Sequence, residues 1–178
     1  MFKLVITGRP GVGKSTLFNA IISELRKNNY KVGGLIAPEV RHLGSRIGFK
    51  LVDLQTGEET WLARKDVASH VRVGSYGVLV DTASKFVEKA LSTAISRADV
   101  IAVDEVGPME LKLPTFKPLL MKALSTNKPI ILVVHIRLND AEILSKLEHA
   151  RKVVVTLENR ELLRKTLPME VLDAIKRI

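Results

Sequence analysis

Apolar and polar positions change rhythm repeatedly along this chain. Residues 2–7 (Phe-Lys-Leu-Val-Ile-Thr) are a short β-branched run ending at Gly8, and in the segment that follows, Leu17, Ile21, Ile22 and Leu25 recur at helical spacing. Residues 31–41, 46–54 and 59–64 read as strands, the last two joined by the turn residues Gln55 to Glu58. Such adjacent strands predict a small antiparallel β insert over about residues 36–80. Next comes a helix over 82–96 with Phe86, Val87, Leu91 and Ile95 on one face, capped by Asp81 or Thr82.

A strand over 99–105 follows, then a helix over 115–127 that tolerates Pro118 only in its first turn, where the missing N–H has no helical partner. Residues 129–135 read as a buried strand, 139–150 as a helix and 152–157 as a strand. Two closing helices, 159–166 and 168–178, are separated near Pro168. Repeated alternation of strand and helix predicts an α/β fold with a mostly parallel sheet covered on both faces. No repeat or linker divides the 178 residues, so one domain spanning 1–178 is expected.

The first strand-to-helix junction carries chemistry. Gly8, Arg9, Pro10, Gly11, Val12, Gly13, Lys14, Ser15 satisfy G-x-x-x-x-G-K-[ST] at every fixed position, and Thr16 follows. Glycines let backbone N–H groups turn inward around phosphates, Lys14 supplies charge to the β- and γ-phosphates, Ser15 offers a hydroxyl to Mg²⁺, and the helix points its positive end at the anion. The pattern predicts nucleotide binding and leaves the fate of the phosphate open.

A second strand narrows that choice. Residues 100–105 are apolar up to Asp104 and Glu105. Asp104 at such a strand tip suits a metal shell that needs a hard oxygen ligand, and Glu105 suits polarisation of a water in line with the γ-phosphate. The plain alternative is an acidic pair capping a turn. Glu110 holds a lysine, joins the metal shell or is an exposed acid. His135, at the end of the neighbouring strand, senses the γ-phosphate or orients the water, or is an ordinary loop histidine.

Composition removes several classes of function. There is no cysteine, which excludes disulfides and thiolate metal sites, and the four histidines are too scattered for a zinc pair. No apolar run approaches the roughly 18 residues of a membrane span, and the N-terminus lacks a signal-peptide pattern, so a soluble cytoplasmic protein is expected. The formal charge of +9 invites a nucleic-acid partner, but the cations are scattered and aromatics are only 4%, which favours a solvated basic surface. Asp104-Glu105-Val106-Gly107 also fits the D-x-x-G of a GTPase switch. The guanine-reading N-K-x-D is represented only by Asn127-Lys128-Pro129-Ile130, which lacks the aspartate and precedes its strand.

Taken in order, residues 8–16, 38–49 (PEVRHLGSRIGF), 73–78 (VGSYGV), 104–111 (DEVGPMEL), 133–135 (VVH) and 157–163 (LENRELL) resemble the small P-loop nucleoside-triphosphatase family known from thermophiles, which has a human cancer-related member. The resemblance runs through almost the whole chain. It implies a RecA-like three-layer sandwich, with the acidic strand separated from the phosphate-loop strand by one other. It further implies Mg²⁺-dependent hydrolysis of ATP, GTP, CTP and UTP to diphosphate and phosphate with low base selectivity, Gly8 to Ser15 holding phosphates and Asp104 with Glu105 serving metal and water. Pro108 departs from the family, which often has a basic residue there.

In the segment resembling the family's hairpin, Glu39, Arg41, Arg46 and Phe49 stand close in sequence. Arg41, Arg46 or Arg9 can serve as an arginine finger, or Glu39 forms a structural ion pair. Asn159 and Arg160 lie where a base can rest, or begin a helix with Asn159 as cap. Two other readings of the same core are a nucleotide or nucleic-acid kinase, for which Arg137 and Arg151 flank one helix, and a slow nucleotide-dependent binding module. Oligomeric state is not legible.

Overall fold

The computed structural model describes all 178 residues. In chain order it has β1 (Lys3–Thr7), α1 (Lys14–Lys27), β2 (Val32–Ile36), β3 (Glu39–His42), β4 (Ser45–Asp53), β5 (Glu59–Arg64), β6 (Arg72–Val73), β7 (Tyr76–Val78) and α2 (Val80–Arg97). There follow β8 (Val100–Val106), a 3₁₀ turn (Glu110–Lys112), α3 (Phe116–Leu124), β9 (Ile130–Val134), α4 (Ala141–Lys146), β10 (Arg151–Val154) and α5 (Arg160–Lys176).

The strands form one sheet in the order β10-β1-β9-β8-β2-β4-β5-β7-β6, with β3 paired to β4. From β10 to β2 all pairings are parallel. Strand β9 lies between β1 and β8, the spacing that the family resemblance implies.

Strands in this half alternate between two apolar layers because both faces are covered. Leu4, Ile6, Val100, Ala102, Ile131 and Val133 pack with Leu17, Ile21 and Leu25 of α1 and with Val171, Leu172 and Ile175 of α5. Val5, Ile101, Val103, Ile130 and Leu132 pack instead with Val87 and Leu91 of α2 and with Phe116 and Leu120 of α3. The result is a three-layer αβα sandwich.

Three local expectations are corrected. The run over 31–41 is two strands, interrupted at Ala37-Pro38 because proline supplies no ladder N–H. The antiparallel insert is present and joins the parallel sheet, since β2 pairs with β4 through Leu35–Asp53 and Ile36–Val52. Helix α2 starts at Val80, with Asp81 and Thr82 inside its first turn and no side-chain cap. The chain also closes with one helix, not two, and Pro168 sits inside it. Pro168 removes one backbone hydrogen bond, but Leu167, Val171, Leu172 and Ile175 form a buried stripe against α1, and that packing carries the helix through.

Continuity of α5 has a measurable consequence. Leu172, beyond Pro168, is 1% exposed, so Leu172→Ala should cost about 2 to 5 kcal/mol in urea denaturation. A near-neutral effect would mean that the last two turns are not docked.

Candidate active site

The phosphate loop joins β1 to α1 over Gly8 to Gly13. The loop after β10 packs on it: the Val155 carbonyl oxygen lies 2.4 Å from where a Cβ on Gly8 would stand, and Arg160 Cδ lies 3.8 Å from that point on Gly13. Val12 is buried in the α1–α5 layer and anchors the loop, whereas Arg9, Gly11 and Thr16 are exposed. Helix α1 has neither a side-chain cap nor an acid in its first turn, which leaves the amides of its positive end without a partner from the helix itself. Lys14 Nζ donates to the carbonyl oxygens of Gly8 and Arg9, each at 3.0 Å.

A cleft of about 530 Å³ opens beside this loop. Gly8, Pro10, Lys14 and Ser15 line it from one strand-helix junction, Asp104, Glu105 and Glu110 from the tip of β8 and the turn after it, and His135 from the end of β9. Glu39, Arg46 and Phe49 of the hairpin close the far side. The sheet order brings these segments together, since β1, β9 and β8 are neighbours and parallel, and their C-terminal ends meet at one edge.

Asp104 lines the cleft beside Ser15 and Lys14. Burial pushes its carboxyl up to about 6, the charge of Glu105 adds to this, and Ser15 and Lys14 oppose it. The β8–β9 ladder is irregular between Asp104 and Val106, and both Asp104 and Glu105 line the cleft despite being consecutive.

Glu110 is neither an exposed acid nor a lysine's partner: it is 6% exposed and makes no ion pair. Burial first, then the charges of Glu105 and Asp104, push it up to about 8. A Cβ on Gly107 would stand 2.8 Å from Glu105 Oε1 and 3.1 Å from Glu110 Oε2, so a side chain there would push the two carboxylates from their places. The Gly-Pro pair before Glu110 was the available signal, since such a turn folds the next acid back under the strand tip.

His135 accepts from the Arg137 backbone N–H through Nδ1 at 3.2 Å, leaving the rest of its ring facing the cleft. Asn159 does not cap α5: its Oδ1 accepts from Thr156 N at 2.8 Å and its Nδ2 donates to Val154 O at 2.9 Å. Asn159 and Arg160 are not among the residues lining the cleft. Arg41 pairs with Glu39 at 2.6 Å and bonds Gly44 O, while Arg46 pairs with the other oxygen of Glu39 at 2.5 Å. Arg151 is held by Glu170 of α5.

The residues fit a small divalent cation. Ser15 and Asp104 offer oxygen donors, three carboxylates crowd one wall, and Lys14 is turned toward loop carbonyls. A small divalent cation held by Ser15 and Asp104 would complete its shell with waters and substrate phosphates.

Burial of Glu110 sets a pH dependence. Folding raises its carboxyl from 4.5 to about 8, so the folded chain binds the extra proton across that window and loses stability as pH rises through it. Without divalent cations, the stability advantage of Glu110→Gln over wild type should grow by about 1 kcal/mol or more between pH 5 and pH 8. An advantage that shrinks with pH would contradict the assignment.

Comparison with known proteins places this geometry. A family model described as NTPase matches residues 3–168. Nucleoside-triphosphatase THEP1 of Saccharolobus solfataricus is 46% identical over 159 residues, covering 89% of this chain and 86% of that one. Its counterpart in Ignicoccus hospitalis is 44% identical, covering 90% and 91%. Among solved structures, THEP1 from Aquifex aeolicus superposes with a TM-score of 0.81 at 29% identity, covering 93% and 96% of the two chains. A human cancer-related nucleoside triphosphatase gives 0.80 at 28%, covering 96% and 97%.

Proposed function

The chain belongs to the NTPase family, and from that premise we propose that it hydrolyses several nucleoside triphosphates with Mg²⁺ as cofactor, through Lys14, Ser15, Asp104 and Glu105. Its P-loop fold and nucleoside-triphosphatase activity are those of the family. The observation that carries the finer reading is the convergence on one cleft of Lys14, Ser15, Asp104 and Glu105.

Loop amides and the end of α1 hold the β- and γ-phosphates, and Lys14 exchanges its loop carbonyls for phosphate oxygens. Ser15 and Asp104 would hold Mg²⁺, which would neutralise phosphate charge there. Glu105 accepts a proton from water as the new oxygen–phosphorus bond forms. The bond from the γ-phosphorus to the bridging oxygen breaks, and its electron pair leaves with the diphosphate. His135 orients the water from the neighbouring strand end.

Low base selectivity is supported by Asn159, whose amide is committed to the backbone, and by the missing N-K-x-D aspartate. Arg160 adjoins the loop and can stack on any base. Nucleic acid is not favoured as partner. A kinase would need an arginine-rich lid over an acceptor, and Arg151 is tied down at α5. No helix is long and apolar enough to cross a membrane.

A panel of ATP, GTP, CTP and UTP with and without Mg²⁺ should release free phosphate at rates differing by modest factors, and only with the metal. A thousandfold preference for one base, roughly 4 kcal/mol, would overturn the selectivity claim, because it demands dedicated buried hydrogen bonds.

Glu105→Gln should slow single-turnover hydrolysis by roughly 10² to 10⁴ with nucleotide affinity retained. Asp104→Asn should weaken Mg²⁺ dependence and turnover together. Wild-type turnover in Glu105→Gln would move the water-activating role to His135.

A further inference from the structure

We propose that Arg46 is a catalytic residue supplied by the β3–β4 hairpin, exchanging Glu39 for the γ-phosphoryl group as charge develops there. The proposal rests on the hydrolase reading of the cleft and assigns it a further member.

Arg46 is the arginine that geometry selects. It lines the cleft with Lys14, Asp104 and Glu105, whereas Arg9 is exposed and Arg41 does not reach the cleft wall. The hairpin is joined to the acidic strand tip by backbone bonds: Ile36 pairs with Asp104, and Ala37 N–H donates to the Asp104 carbonyl at 2.6 Å. Arg46 lies on β4, which pairs with β2, the strand that pairs on its other side with β8 and Asp104.

Charge and hydrogen bonding point to an anion. Arg41 and Arg46 face each other across the ladder, a repulsive pairing of like charges. Glu39 alone bridges them, through Oε1 to Arg41 and Oε2 to Arg46. Two cations on one carboxylate leave one positive charge over. Arg46 Nε is buried with no acceptor, although buried polar groups are nearly always paired. Its guanidinium stands 5.4 Å from the centre of the Phe49 ring, which steadies its plane. A phosphate oxygen would give the Nε–H an acceptor and take up the excess charge. The Glu39 pair is half-exposed, a weak tether.

In the reaction Arg46 transfers no proton. Water attacks the γ-phosphorus, its proton passes to Glu105, and the diphosphate leaves with the bridging-oxygen electron pair. Arg46 donates throughout to phosphoryl oxygens whose negative charge rises in the transition state.

The test compares Arg46→Ala and Arg46→Lys with wild type and Arg41→Ala in the full chain, melting curves establishing that each is folded. Arg46→Ala should lower kcat on the order of 10³-fold with KM within about threefold, and Arg46→Lys should restore little, since an ammonium lacks the fork. Arg41→Ala should change kcat by less than about tenfold. In calorimetry, Arg46→Ala should bind ADP as wild type does but lose its tight complex with ADP and aluminium fluoride, a transition-state mimic.

Arg46→Ala turning over within about threefold of wild type would overturn the proposal, and so would equal losses of ADP and mimic binding. Either result leaves the hydrolase reading standing if Glu105→Gln is slow. A wild-type chain releasing no phosphate from any triphosphate would overturn both.

Discussion

The rest of the cleft depends on one constraint, the meeting of Ser15 and Asp104 on its wall. Ser15 lies in the first turn of α1 and Asp104 near the end of β8, nearly ninety residues later, with β9 between β1 and β8. They meet because parallel β1, β9 and β8 end at the same edge of the sheet. Strands buried on both faces hold that edge in register, since a slip of one residue would exchange Leu4 and Ile6 with Val5 between two different apolar layers. Packing far from the cleft thus fixes a distance inside it.

That edge separates charge. Acids gather on the wall formed by β8 and the turn after it, and cationic groups line the phosphate loop and the hairpin. With three carboxylates so close, two of them are pushed upward by burial and mutual repulsion. Such an arrangement favours ligands that bring their own opposite charges: polyphosphate for the cationic side, a divalent cation for the acidic one. A metal–triphosphate complex matches both together.

Legibility in the sequence followed the range of the interactions. The phosphate loop, the acidic strand, the alternation of strand and helix and the place of Pro118 are legible because each rests on local spacing or local turn chemistry. Pro168 was misread as a break: its cost is local, but the stripe from Leu167 to Ile175 that outweighs it is buried against a helix more than a hundred residues away. Glu110 stays open in the sequence because Gly107-Pro108 marks a turn, but only the packing of the folded strand tip decides whether the acid after it is buried. The role of Asn159 also escaped, since cap and loop closure use the same residue type and differ only in which backbone groups it meets.

The antiparallel strands look like an appendage in the sequence, yet their attachment explains how they can share in the site. Strand β2 has parallel β8 on one side and antiparallel β4 on the other, and Ile36 meets Asp104 in the first pairing and Val52 in the second. A single residue thereby couples the acidic strand tip to the strand that carries Arg46. Had the hairpin hung from a loop, each closure over substrate would require ordering entropy for the whole segment. As a continuation of the sheet it is already ordered, and engagement of the substrate requires only that one guanidinium change its partner.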